Sequence, residues 1–275
     1  MKKIYIILGF ILLNIFSLYA FRVDTISIYS KAMSKKIKTL VIVPKKAMEE
    51  SYEKYPVVYL LHGYGGSEKD WLKVKPNLPE IADSLGIIFV CPDGKSSWYI
   101  NSPIDKSSQY ETFISYELVS YIDTNYNTIA DRQYRAIAGL SMGGHGALYN
   151  AFKNKEVFGA AGSTSGSVDI RVRGNLDKIL GKREKNSELY QQYCVSNYID
   201  NIGNNEIAIL MDCGIDDFCF KVNELLNKEL REKGIAHDYT IRPGQHNRTY
   251  WNNSIDYHLL FFVNFFKKES ELQLN

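Results

Sequence analysis

The chain has 275 residues, 45% of them hydrophobic and 23% charged, with 33 basic against 31 acidic side chains. That is enough for one large α/β domain of ordinary globular composition, and the lack of an internal repeat or low-complexity tract excludes a repeat array. The near-even charge, with no basic stripe interleaved with aromatics, excludes steering toward nucleic acid or an anionic membrane.

Lys2 and Lys3, an apolar run from Ile4 through Leu13 and beyond, and small residues ending at Ala20 read as a secretory signal peptide cut after Ala20. An uncleaved anchor is the alternative, but about 17 apolar-rich residues are short for a span. Cleavage removes only Lys2 and Lys3 and leaves the two charge counts equal. A secreted or periplasmic protein, without stable membrane association after cleavage, is therefore expected. The remaining chain, 21–275, reads as a single domain.

Thr25–Tyr29 and Lys38–Val43 carry β-branched residues and suggest an antiparallel pair at one sheet edge. Pro56–Leu61 is a continuous apolar run ending in His62-Gly63-Tyr64-Gly65-Gly66, and Ile87–Val90 repeats the theme before Pro92-Asp93-Gly94. Helical spacing covers Leu78–Leu85 and Thr112–Tyr126. Tyr134–Ala138 reads as a buried strand, Gly144–Phe152 as a helix of small residues, and Phe158–Gly162 as another strand. Residues 169–205 are polar and weakly periodic; they read either as a long solvated connection or as an insertion forming one wall of a cleft. Strands at Ile207–Met211 and His237–Arg242 and helices at Phe220–Lys233 and about Asn253–Lys267 complete the chain. Apolar strands alternating with helices imply a mostly parallel sheet covered on both faces, with ligands bound beyond the strand carboxyl ends.

Gly139-Leu140-Ser141-Met142-Gly143 falls at a strand-to-helix junction, where a serine on a tight turn is lifted out of the fold above a helix N-terminus. Such a hydroxyl becomes a nucleophile only with a base to take its proton and a carboxylate to orient that base. Of five histidines, His246 alone stands in a loop after the last strand. His62 belongs to the glycine-rich turn, His145 lies within the helix after the serine, and His237 and His258 read as structural. The acid belongs after the strand ending at Met211, where Asp212, Asp216 and Asp217 all qualify. Asp217 is preferred, with Asp216 capping the next helix and Asp212 turned into the strand. Backbone N–H groups of Met142 and Tyr64 are the expected oxyanion donors. Neither glycine run continues into a phosphate loop or a dinucleotide fingerprint, so no cofactor is expected. The spacing of Cys91, Cys194, Cys213 and Cys219 fits no metal motif; Cys213 could bridge Cys219, Cys194 could reach either, or all four could be free thiols.

With these residues in place, the chain resembles the putative-esterase family of α/β-hydrolases, which includes S-formylglutathione hydrolases, feruloyl, acetylxylan and tributyrin esterases, and mycolyltransferases. The resemblance rests on Leu60-Leu61-His62-Gly63 with Asp70-Trp71, and on Pro92-Asp93-Gly94 with Trp98-Tyr99 and Asn101. It continues through Arg135 to Gly144, Asp216-Asp217, and Pro243-Gly244 to His246 with Tyr250-Trp251. It implies an α/β-hydrolase fold, a Ser141–Asp217–His246 triad, and Trp98, Asn101 and Trp251 near the substrate. It also implies a small-molecule or oligosaccharide ester as substrate, plausibly short acyl, acetyl or feruloyl groups on carbohydrate. Alternatives are an acyltransferase of mycolyltransferase type, a thioesterase like S-formylglutathione hydrolase (a largely cytosolic group, against the export signal), and a non-catalytic binding module.

Overall fold

The computed structural model describes residues 21–49, 53–173 and 176–274; the expected signal peptide lies outside these residues. Eight strands form one sheet: β1 (Phe21–Ser30), β2 (Lys35–Pro44), β3 (Val57–Leu61), β4 (Ile88–Pro92), β5 (Arg135–Leu140), β6 (Ala160–Thr164), β7 (Ala208–Gly214) and β8 (Asp238–Arg242). Their order across the sheet is β1-β2-β4-β3-β5-β6-β7-β8. β1 and β2 pair antiparallel at the edge, with Thr25 opposite Leu40, and β2 runs antiparallel to β4. From β4 to β8 every pairing is parallel.

The continuous apolar runs are explained by burial on both faces, since every residue of β3, β4, β5 and β6 is buried. One core layer joins Val57, Tyr59 and Ile137 to the helix of Met142–Lys153 and the helical segment of Phe113–Leu118. The other joins Val58, Leu60 and Ala136 to the helices of Leu78–Leu85 and Arg248–Leu274. Alternate residues of each strand serve the two layers, as a period-two pleat requires. This is the α/β-hydrolase architecture: a mostly parallel sheet with helices on both faces.

Three elements differ from expectation. The last helix begins at Arg248, because the Asn247 side-chain oxygen accepts the Tyr250 N–H at 3.0 Å and caps it immediately after His246. The helix expected over Thr112–Tyr126 has a central π-helical stretch, Phe113–Leu118. Residues 169–205 are neither a bare solvated connection nor one long element. Short helical turns there, apart from Arg183–Lys185, bury one or two apolar side chains apiece, and the buried residues of the segment include Ile170, Leu176, Leu180, Tyr190, Val195 and Ile199. Single anchors on separate turns leave no periodicity to read. All four cysteines are free and buried, so neither suggested bridge forms.

The helix of Met142–Lys153 presses closely on the sheet. A Cβ at Gly143 would lie 2.2 Å from the Leu61 carbonyl oxygen, and one at Gly139 would lie 2.2 Å from the Gly143 oxygen. Gly143→Ala is therefore expected to cost about 1–3 kcal/mol of stability through overpacking against backbone that cannot yield. Urea denaturation of the variant beside the parent protein measures it.

Candidate active site

Ser141 joins β5 to the helix that follows and adopts φ 55° and ψ −116°, a backbone region costing a non-glycine residue about 1–3 kcal/mol. Three hydrogen bonds hold it there. Its N–H donates to the Thr164 carbonyl at 3.1 Å, and its own carbonyl accepts from His145 N–H at 3.1 Å and Ser167 N–H at 3.0 Å. Close packing of the flanking glycines thus fixes the strained turn, and the turn presents Oγ at the carboxyl end of β5.

His246 Nε2 lies 2.8 Å from Ser141 Oγ, and His246 Nδ1 lies 2.9 Å from each carboxylate oxygen of Asp217. Burial alone would raise the Asp217 pKa, but hydrogen bonds from the His246 ring and the Cys219 N–H (2.7 Å) outweigh it and hold the carboxyl below the usual aspartate value. An ionised carboxylate only accepts, so Nδ1 carries the imidazole proton and Nε2 is free to accept from the serine hydroxyl. The two loops are tied by Ile215 N–H to the Arg242 carbonyl and Asp216 N–H to the Gly244 carbonyl, both at 3.0 Å. Asp216 is exposed and does not cap the next helix, which starts from Cys219 without a side-chain cap.

Around His246 the sequence pointed to one aromatic and missed another. Trp251 meets the imidazole edge-on, with centroids 5.0 Å apart. Phe218, unremarked in the sequence, lies over it at 4.1 Å while remaining 62% exposed. Only its place beside Asp217 could have flagged it.

The glycine-rich turn reaches the serine, since a Cβ at Gly63 would lie 3.6 Å from Ser141 Cβ. His62 sets that turn. Its Nε2 accepts the Gly94 N–H at 2.8 Å, so Nδ1 carries the proton and donates to the Gly63 carbonyl at 2.7 Å. Tyr64 follows, half exposed, with its ring 6.5 Å from that of Trp98. Met142 opens the helix, where a backbone N–H has no partner within the helix.

Trp98 is buried against this turn and against His145 at 5.6 Å; it and Tyr99 both hold positive φ, 56° and 58°. The Tyr99 hydroxyl donates to the His62 carbonyl at 3.1 Å, and Asn150 donates to the Tyr99 carbonyl at 2.9 Å. Asn101, expected near the substrate, is engaged within the protein at both ends of its amide. Its amide donates to Thr112 Oγ1 at 2.9 Å and accepts the Thr112 N–H at 3.0 Å, so both ends staple a loop to a helix. His145 is fully buried with Nε2 2.8 Å from the Tyr193 carbonyl, and burial pushes its pKa down to about 4, leaving it neutral.

A second buried constellation lies behind the first. Asp212, at the end of β7, accepts from His258 Nε2 and Ser254 Oγ at 2.6 Å each and from Thr164 Oγ1 at 3.0 Å, with Arg242 3.0 Å away. Ser254 and His258 stand four apart on the last helix, the spacing of one helical face, which was the available signal. Asp212 therefore ties β6, β7, β8 and the last helix together and stays apart from His246. Burial would raise its pKa, but His258, Ser254 and Arg242 together leave it below the ordinary aspartate value.

Among known proteins, the family model described as "Putative esterase" matches residues 30–262. An acetyl esterase of Caldicellulosiruptor saccharolyticus is 27% identical over 257 residues, covering 84% of this chain and 94% of that protein. An esterase of Mycobacterium tuberculosis is 36% identical over 222 residues, covering 70% of this chain and 48% of that longer protein. A solved ferulic acid esterase superposes with a TM-score of 0.78 at 27% identity, covering 90% of this chain and 98% of that one.

Asp212→Asn is expected to lose about 3–5 kcal/mol at neutral pH by removing the carboxylate that pairs with Arg242 and accepts from His258 and Ser254. A carboxyl depressed in the fold stabilises above its unfolded pKa of about 3.9, and that stability disappears as pH falls through the lower folded value. Urea titrations of both proteins should therefore show the gap constant at neutral pH and closing only below about pH 4.

Proposed function

Because the chain belongs to the putative-esterase family, we propose that it is a serine esterase that cleaves carboxylic esters through an acyl-serine intermediate on Ser141. The observation that carries this reading is the continuous hydrogen-bonded line Ser141 Oγ–His246 Nε2 and His246 Nδ1–Asp217. In this scheme Ser141 Oγ attacks the ester carbonyl carbon as its proton passes to His246 Nε2, and the new imidazolium is stabilised by Asp217. Negative charge on the former carbonyl oxygen is met in this scheme by the backbone N–H groups of Met142 and Tyr64, donors that a folded site can hold in place before the reaction. Collapse breaks the bond to the alkoxy oxygen, which leaves with the proton from His246. Water then repeats the sequence on the acyl-serine, with His246 as base, and releases the acid. No step calls for a metal or an organic cofactor.

Short acyl, acetyl or feruloyl esters of carbohydrate are the substrate class we favour, supported by the acetyl esterase and ferulic acid esterase to which the chain is similar. Placement outside the cytoplasm belongs to the same proposal and rests on Lys2, Lys3 and the apolar run ending at Ala20. Expressed in a bacterial host, the protein should be recovered from periplasm or medium with Phe21 as its first residue; an intact Met1 would contradict cleavage after Ala20, and recovery from the cytoplasm would contradict export.

Turnover of p-nitrophenyl acetate and methyl ferulate tests the chemistry. Ser141→Ala should lose on the order of 10⁴–10⁶ in kcat, and it should also lose labelling by a fluorophosphonate probe. Asp217→Asn should lose on the order of 10⁴ through the wrong imidazole tautomer, whereas Asp216→Asn should stay within about threefold of the parent. Equal rates for the parent and Ser141→Ala would refute the reading.

A further inference from the structure

Arg22, Arg135, Arg171 and Arg242 each sit beside an aspartate, at 2.6 to 3.0 Å. Arg173 does not: among the described residues no carboxylate lies within ion-pair distance of its guanidinium. One N–H of its fork reaches Cys219 Sγ at 3.0 Å, a weak acceptor, and its Nε–H is buried with no acceptor among the described residues. The guanidinium carbon lies 4.6 Å from the centre of the Phe218 ring, and that ring lies 4.1 Å from the centre of His246. The nearby Asp169 is occupied by Arg171, and Asp217 is occupied by His246 and the Cys219 N–H. An unneutralised cation therefore stands one aromatic ring away from the imidazole that must become positive during reaction.

We propose that Arg173 and Phe218 form a subsite for a carboxylate carried on the alcohol portion of the ester, the chemistry of a uronic-acid residue. The inference rests on the esterase reading of Ser141. The side of the substrate follows from the proton path: His246 protonates the leaving alkoxide, so the alcohol departs beside His246, and Phe218 covers that same ring. Exposed as it is, Phe218 offers an apolar surface for a sugar or aryl ring, while the guanidinium offers a planar fork suited to a carboxylate. A bound carboxylate would also supply the negative charge that the free site lacks. Arg173 comes from the 169–205 segment, which thereby contributes to the cleft on the leaving-group side.

The test compares kcat/KM for 4-acetoxybenzoate and 4-acetoxybenzamide, which differ in charge but little in shape. The parent protein should prefer the acid, and added salt should erode that preference. Arg173→Gln should cut the acid-to-amide ratio by about tenfold or more, the scale of a lost charge-assisted hydrogen bond. Arg173→Lys, which keeps the charge, should recover part of the ratio. A ratio unchanged by Arg173→Gln in a protein that still turns over p-nitrophenyl acetate overturns the subsite and leaves the esterase standing. If no ester is cleaved, calorimetry of benzoate and benzamide binding to Ser141→Ala decides the subsite without turnover. Benzoate bound no tighter than benzamide, or as tightly after Arg173→Gln is added, then refutes it.

Discussion

A helix forced within backbone contact of the sheet it follows is the constraint from which the rest of the molecule takes its form. Gly139 and Gly143 let the Met142–Lys153 helix approach β3 and β5 closely enough that any Cβ at either position would collide with main-chain oxygen. The chain can make that approach only by turning through Ser141 at φ 55°, and three backbone hydrogen bonds keep the turn from relaxing. Strain of about 1–3 kcal/mol is thereby held at the residue whose hydroxyl must project from the sheet. The same approach brings the helix N-terminus close to the start of the glycine-rich turn, against the Leu61 and His62 carbonyls.

Two aspartates five residues apart at the end of β7 divide the remaining work. Asp212 is turned inward to His258, Ser254, Thr164 and Arg242, joining three strands to the last helix. Asp217, past the strand end, is turned to His246 and also accepts the Cys219 backbone N–H. The inner cluster fixes the platform, and the outer pair stands on it. Since β8 enters the inner cluster through Arg242 and the His246 loop leaves β8 directly, the position of the imidazole depends on both.

Around this centre the surroundings are aromatic and uneven. Trp98 and Tyr64 lie together at the glycine-rich turn, while Trp251 and Phe218 lie against His246. On the Phe218 side a cation approaches, Arg173 from the segment between β6 and β7.

The sequence alone determined the sheet, because strands buried on both faces must be apolar throughout and their runs are visible without any partner. It also determined Ser141, whose flanking glycines have no role except in a turn of this kind, and it singled out His246 as the histidine in a loop between the last strand and the last helix. Tertiary structure decided what depends on direction rather than position. Asp216 and Asp217 are adjacent and chemically identical, and only the course of the loop turns one toward His246 and leaves the other in solvent. Asn101 reads as a polar group near a cleft until Thr112, from the start of a helix, takes both ends of its amide. Phe218, Arg173 and the Asp212 cluster left at most faint traces, such as the one-face spacing of Ser254 and His258, because their partners are far apart along the chain and no local pattern records which side chains will meet when the sheet closes.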